Sequence, residues 1–341
     1  MRLSAWGTIH EILIDHLANR LLIRRYQKLH PACLQEPIDR PIFILGVPRS
    51  GTTLLHRLMS LDPTTRFVAC WESLYPAPFP NEPPGDVSVR LEAARRNLQR
   101  TWDPFPDMAA IHPVAPEDPE ECFYLLMNSF RSRAFVLLAP VGRYLRWVDR
   151  QDLTETYLYH RQQLQILQCR LRGRQWVLKA PLHLADVEPL LGAYPDARFI
   201  QLHRDPGKTM PSTASLVRAF WRRFCRRIDS HALGRGALEG WSATMDHFLA
   251  VRDRSAGSLF VDVLYERLRR DPVAVVGEVY ARLGLQVSPA FEADMRDWLA
   301  RNPQGKHGAH RYSLADFGLD RAAVDARFGE YCRRFGVTPE P

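Results

Sequence analysis

The stretch PIFILGVPRSGTTLLHRL, residues 41–58, sets an apolar run against a glycine-containing turn and then a helical pattern. Ile42 to Val47 is too short for a helix and too uniformly apolar for a half-exposed strand, so it reads as a strand buried on both faces. Gly46 and Gly51 then bracket Val47, Pro48, Arg49 and Ser50 with the spacing of a phosphate-cradling loop. In such a loop, backbone N–H groups and the start of a helix converge on an anion. A nucleoside triphosphatase needs a lysine before the last hydroxyl residue of this loop. Thr52 stands there instead, followed by Thr53, and Arg49 brings the cation from the other side. The loop suits a 5′-phosphate whose outer group is not another phosphate. Without a ligand, the same residues would be a tight turn with Ser50 capping the helix.

Working outward, three later apolar runs read as strands: Trp176 to Leu178, Phe199 to Leu202 and Leu259 to Leu264, each followed by helical pattern. Strands alternating with helices predict an α/β, P-loop-like, three-layer fold with a central parallel sheet flanked by helices. Ligands of such sheets bind beyond the carboxyl ends of the strands. Residues 8–30 carry apolar positions at helical spacing and are expected to form an amphipathic helix within an N-terminal helical segment, 1–40. About 130 residues separate the first two strands, far more than one crossover needs, and they include the Pro-rich YPAPFPNEPPGD. A long helical insertion after the first strand-helix unit, residues 71–155, is therefore expected on the acceptor side of one domain covering 1–341. Most of its aromatic residues, among them Trp71, Tyr75, Phe79, Trp102, Phe105, Phe130, Phe135 and Trp147, would be core, with a subset left for a lid.

With 46% hydrophobic and 25% charged residues, the composition is that of a globular enzyme and excludes a disordered or fibrous chain. No apolar run approaches the ~20 residues needed to span a bilayer. No signal peptide, no transmembrane helix and no stable membrane insertion are expected. The six cysteines are far apart and form no Cys-x-x-Cys pair, so no zinc ribbon and no disulfide framework are expected, and the compartment is read as cytoplasmic. The formal charge of +8 favours an anionic partner, and part of it is concentrated at Arg218, Arg222, Arg223, Arg226 and Arg227. Zinc-finger spacing, an aromatic RNA-binding run and a helix-turn-helix pattern are all missing, so no nucleic acid partner is expected. Asp62, His203 and Asp205 make no metal constellation, and no metal is expected.

With these residues in place, the sequence resembles the sulfotransferase family, which uses 3′-phosphoadenosine 5′-phosphosulfate (PAPS). GVPRSGTTLLHRLM is similar to the family's 5′-phosphosulfate loop, and FIQLHRDPGKTMPSTASL resembles its 3′-phosphate motif at the end of a later strand. The resemblance implies that Arg49, Ser50, Gly51, Thr52 and Thr53 hold the 5′ end, and that Arg204 and Ser212 hold the 3′-phosphate. It covers roughly Pro41 to Val337. The bacterial branch shares WE, WVLKAPLHL and HRYSLADFGLD, and the tyrosylprotein branch is also similar. The chain departs from the animal cytosolic enzymes, whose Lys-Thr-His triplet carries a catalytic histidine. Lys179-Ala180-Pro181 stands in its place.

Sulfuryl transfer needs a base for the acceptor proton and cations for the departing phosphate. Lys179, at the end of the second expected strand, and Arg49 suit the second task. Two candidates suit the first. Glu72 in CWESLYP resembles the glutamate base of the tyrosylprotein branch, although two extra residues intervene; His183 in KAPLHL is the other. Glu72 is favoured. His112, Glu117, Glu120 and Glu121 are weaker candidates, because their acidic stretch reads first as a helix N-terminus. Trp71 or Tyr265 would stack on adenine, and Lys306, within GKHGAHRYSL, resembles the family's basic loop over the 3′-phosphate.

The competing enzyme reading is a P-loop nucleotide kinase or NTPase with Asp262 as its metal-holding carboxylate, and the missing loop lysine speaks against it. The aromatic and proline content of the insertion favours a hydrophobic small-molecule or lipid acceptor.

Overall fold

The computed structural model describes residues 3–83, 85–102, 114–169, 175–303 and 312–340. Five parallel strands form one sheet in the order β2-β3-β1-β4-β5: β1 Ile42–Leu45, β2 Thr65–Arg66, β3 Gln175–Lys179, β4 Arg198–His203 and β5 Phe260–Leu264. The central position of β1 follows from its composition, since Ile42, Phe43, Ile44 and Leu45 are all buried and only an interior strand covered on both faces has use for them. Phe43 lies beside Leu178 of β3 and Phe199 of β4.

Alternation along the strands divides the core in two. Phe43, Leu45, Trp176, Leu178 and Phe199 pack with the helices Thr154–Gln168, Val187–Ala193 and Ser230–Arg254. Ile42, Ile44, Val177, Ile200 and Leu202 face the opposite way, toward the helices Thr52–Met59, Pro272–Leu283 and Pro289–Arg301. The three layers anticipated from the sequence are present. The short strand β2 was not anticipated. Two residues, one of them an arginine, carry no readable pattern, and what makes them a strand is their pairing with Gln175 and Trp176.

The N-terminal helix runs Leu3–Leu29, beginning earlier than the apolar spacing suggests. Residues 71–155 contain the helices Cys70–Leu74 (in part), Ser88–Trp102, Phe123–Met127 and Gly142–Val148. Within the arginine-rich stretch, Arg218 lies over the ring of Phe317 at 4.6 Å and Arg223 is buried, so part of that charge is spent on packing. One expectation is corrected here: Cys33 and Cys169 form a disulfide, their Cα atoms 5.5 Å apart. They are 136 residues apart in sequence, and only the fold brings them together.

Candidate active site

Four of the strands place a candidate residue at their carboxyl ends. β1 runs into the loop, β3 ends at Lys179, β4 is followed by Arg204, and β5 is followed by Tyr265. The loop is held by close approaches that only glycine allows. A Cβ on Gly46 would lie 2.5 Å from Ser50 Oγ, and one on Gly51 would lie 2.7 Å from the Tyr265 ring. Gly51 takes φ 95°, and Arg49 is itself left-handed at φ 73°, a conformation that costs an arginine about 1–2 kcal/mol. Its carbonyl accepts a hydrogen bond from Arg204 Nη1 at 2.7 Å.

Gly51, not Ser50, is the N-cap of the helix Thr52–Met59, and no side chain caps that end. The first-turn N–H groups and the helix dipole are thus left to attract an anion. Ser50 Oγ is buried and has no hydrogen-bond partner. A buried hydroxyl without a partner costs free energy that a ligand oxygen would recover. Together with the glycine cradle, it makes the residues present a good fit to a bound phosphosulfate.

A cleft of about 460 Å³ is lined by the loop residues Pro48 to Thr53 except Ser50, and by Glu121, Pro181, Arg204, Tyr265 and Trp298, among others. Arg204 lies over the Tyr265 ring at 3.9 Å. Its Nε and Nη2 donate to the two carboxylate oxygens of Glu340 at 2.7 and 2.9 Å, and the Glu340 N–H donates to Asp205 at 2.9 Å. Ser212 is buried on the helix Pro206–Phe224, and Leu216, one turn further along it, lines the cleft. Lys179 is 2% exposed and donates to Glu121 Oε1 at 2.6 Å.

Glu121 reaches this place through backbone pairing. Ala69 and Pro119 form an antiparallel bridge, the Glu120 N–H donates to Val68 at 2.9 Å, and the Cys122 N–H donates to Lys179 at 3.1 Å. Between these ties, Glu121 lines the cleft beside the loop and Glu120 lines a second, apolar cavity of about 120 Å³. The N-terminal helix gives that cavity Ile12 and His16, the insertion gives Phe123, Met127 and Leu138, and the helix Pro206–Phe224 gives Phe220 and Arg223. Burial lowers the pKa of Arg223 to about 10.

Glu72 lies outside both linings. One of its oxygens accepts from Arg66 at 2.7 Å, and the other accepts from the Ala69 N–H at 3.1 Å, closing the start of its own helix. Burial raises its pKa, opposed by the Arg66 charge. His183 is fully buried between Tyr157 Oη at 2.8 Å and Cys122 Sγ at 3.0 Å, and burial holds its pKa well below the usual imidazole value. Trp71 carries Arg90 over its ring at 4.8 Å, whereas Tyr265 lines the cleft beside the loop. Lys306 lies outside the described residues. Asp262 is committed to Arg252 through two bonds of 2.6 Å and to His203 at 2.8 Å, so it does not serve the loop as a metal-holding carboxylate. Among the described residues, no three His, Cys, Asp or Glu side chains are grouped to hold a metal ion. Sequence reasoning missed Trp298 and Glu340, which have no motif around them, and it ranked Glu121 below Glu72.

These features agree with comparison to known proteins. A protein-family model, the sulfotransferase family, matches residues 41–289. The omega-hydroxy-beta-dihydromenaquinone-9 sulfotransferases Stf3 of Mycobacterium bovis and Mycobacterium tuberculosis are 28% identical over 322 residues, covering 89% of this chain and 77% of theirs. The crystal structure of sulfotransferase STF9 from Mycobacterium avium superposes with TM-score 0.86 at 29% identity, over 97% of this chain and 86% of that one. STF1 from Mycobacterium tuberculosis gives 0.80 at 31% identity, over 97% and 87%. With a family model matching residues 41–289 and most of its length superposing on these enzymes, the chain belongs to the sulfotransferase family.

Proposed function

We propose that the enzyme takes its sulfuryl group from PAPS and passes it to a lipid-like acceptor whose hydroxyl meets the donor beside Glu121 in the cleft and whose adjoining apolar part occupies the cavity across the Glu120–Glu121 segment. The observation that carries the donor half is the buried, unbonded Ser50 hydroxyl beside an uncapped helix N-terminus. The acceptor half is supported by the apolar cavity on the other side of the Glu120–Glu121 segment. At about 120 Å³ it has room for a ring or a few methylenes, not a whole lipid. The name of the Stf3 relatives, which describes a hydroxylated menaquinone derivative, points the same way.

When bound, the donor supplies the transferable sulfuryl group and, in its 5′-phosphate, the leaving group. Ser50, Thr52, Thr53 and the loop N–H groups would bind the 5′ end, Arg204 and Ser212 the 3′-phosphate, and Tyr265 and Trp298 would flank the base. Glu121, which lines the cleft and is already bonded to Lys179, is assigned the acceptor proton in preference to Glu72, whose two oxygens are taken by Arg66 and Ala69. Lys179 would neutralise charge on the leaving phosphate. No metal is assigned a part, and a cytoplasmic setting is proposed with this reading. The Cys33–Cys169 disulfide is an observation that stands against that setting.

The test uses PAPS labelled with sulfur-35 and an isoprenoid alcohol in detergent micelles. Label transferred to the alcohol, with adenosine 3′,5′-bisphosphate bound more tightly than AMP, is the expected result. Equal binding of the two nucleotides would remove the 3′-phosphate site, and transfer only to polar sugars would remove the acceptor class.

A further inference from the structure

Seven large hydrophobic side chains stand exposed among the described residues, and five of them are on the helix Leu3–Leu29: Trp6, Ile14, Leu17, Leu21 and Leu29, at 60%, 47%, 51%, 73% and 61% exposure. Single exposed leucines mean little, but a run of them on one helix face does. At about 100° per residue, Trp6, Ile14, Leu17 and Leu21 fall within a stripe roughly 80° wide. The opposite face is also occupied. Ala5 and Ile23 are buried, and Ile12, His16 and Asn19 line the apolar cavity. A helix apolar on two faces has packed only one of them against its own chain.

Charge identifies what the second face fits. From His16 to Leu29 the helix carries Arg20, Arg24, Arg25 and Lys28, all exposed, and no acidic residue. The acids nearer its start are turned elsewhere, Glu11 to Arg100 at 3.0 Å and Asp15 into the cavity wall. An apolar stripe bordered by Arg20 and Arg25 and continued along its own face by Arg24 and Lys28 matches the interface of an anionic bilayer, where apolar side chains enter the acyl boundary and arginine and lysine meet the headgroups. No helix among the described residues is long and apolar enough to cross a membrane, which leaves this one to lie in the membrane plane.

We propose that the outer face of the helix Leu3–Leu29 docks the enzyme on an anionic phospholipid surface, above the cavity that its inner face helps to line. The docking stands on the helix itself. Its use, delivery of a lipid acceptor from the membrane into the cavity, rests on the function proposed above.

Co-sedimentation is measured with vesicles of phosphatidylcholine alone and with vesicles containing one third phosphatidylglycerol, without donor or acceptor. The wild type is expected on the anionic vesicles, and the double variant Leu17→Glu, Leu21→Glu should partition at least about tenfold less. Arg24→Glu with Lys28→Glu should show a smaller loss that shrinks as salt is added. Adenosine 3′,5′-bisphosphate binding should be the same in every variant, which shows that each is folded. Failure of the wild type to sediment, or equal sedimentation of the wild type and the leucine variant, overturns the proposal. So does a dimer seen by sedimentation velocity that the leucine variant dissociates, since a second copy would then cover the face. Loss of bisphosphate binding by the wild type would instead count against the donor site.

Discussion

The donor cleft and the apolar cavity lie on either side of one extended segment, and they are built by different means. The cleft is assembled at the ends of β1, β3, β4 and β5, so a few contiguous motifs and the sheet order place most of its walls. The cavity gathers side chains from the N-terminal helix, the insertion and a helix beyond β4, and no two of those segments are neighbours in sequence. The first mixes charged side chains with apolar walls, and its backbone is shaped to receive an anion. The second is mostly apolar, and its shape depends on how separate helices pack. On the proposed function, binding of the donor would reside in the sheet and the choice of acceptor in the elements laid against it.

The largest effect should separate the two regions at their shared boundary. Glu121→Gln keeps the shape of the side chain but removes its basicity, and should lower kcat by about 10²–10⁴ with bisphosphate affinity unchanged, the range for loss of a general base. Glu72→Gln should fall short of that loss and act mainly on stability, because its partner Arg66 would remain buried. Single-turnover rates with the isoprenoid alcohol check both. The reverse order would return the base to Glu72 and take catalysis away from the boundary.

Next in size is Arg204→Ala, which touches only the donor side. It should weaken adenosine 3′,5′-bisphosphate by roughly 30–100-fold and AMP far less, the amount expected for charge-assisted hydrogen bonds. Equal losses for both nucleotides in titration calorimetry would move the 3′-phosphate away from Arg204. Glu340→Gln should have the opposite sign. The carboxylate of Glu340 now takes two of the guanidinium donors, so a neutral side chain should compete less and tighten bisphosphate binding by roughly threefold to tenfold. Unchanged affinity would show that the tail leaves Arg204 without cost.

Much of the donor side was legible because its chemistry is local. A glycine cradle, an uncapped helix start and an arginine after a strand are each written in consecutive residues. What the sequence did not show depends on distant pairing. Glu72 and Glu121 both sit in short acidic motifs, and the carboxylate that lines the cleft is decided by backbone bonds to Val68 and Lys179. Strand β2 and the Cys33–Cys169 disulfide were hidden for the same reason. His183 was a plausible base in sequence because burial, which commits it to Tyr157 and Cys122, cannot be read from a tripeptide.

The smallest effect tests whether such buried imidazoles are structural on both sides of the sheet. Burial lowers the pKa of His56, behind the donor loop, and of His160, on the opposite side, to about 3. Both titrate near 6.5 when unfolded, so below that pH the unfolded chain binds more protons and stability falls as pH drops toward about 3. Each contributes up to about 1.4 kcal/mol per pH unit in that window. The Tm should therefore decline between pH 7 and pH 5, by a few degrees, with or without bisphosphate. A Tm that rises over that interval would place both rings in contact with water or an acid.

The segment from Pro119 to Cys122 also has a register. In an extended chain successive side chains point to opposite sides, which is why Glu120 and Glu121 meet different chambers. A one-residue slip of this segment against Val68 and Lys179 would exchange their sides, turning the carboxylate now beside Lys179 toward the apolar walls. On the proposed assignment such a slip would silence transfer as Glu121→Gln should, and would in addition set a carboxylate among the apolar side chains of the cavity.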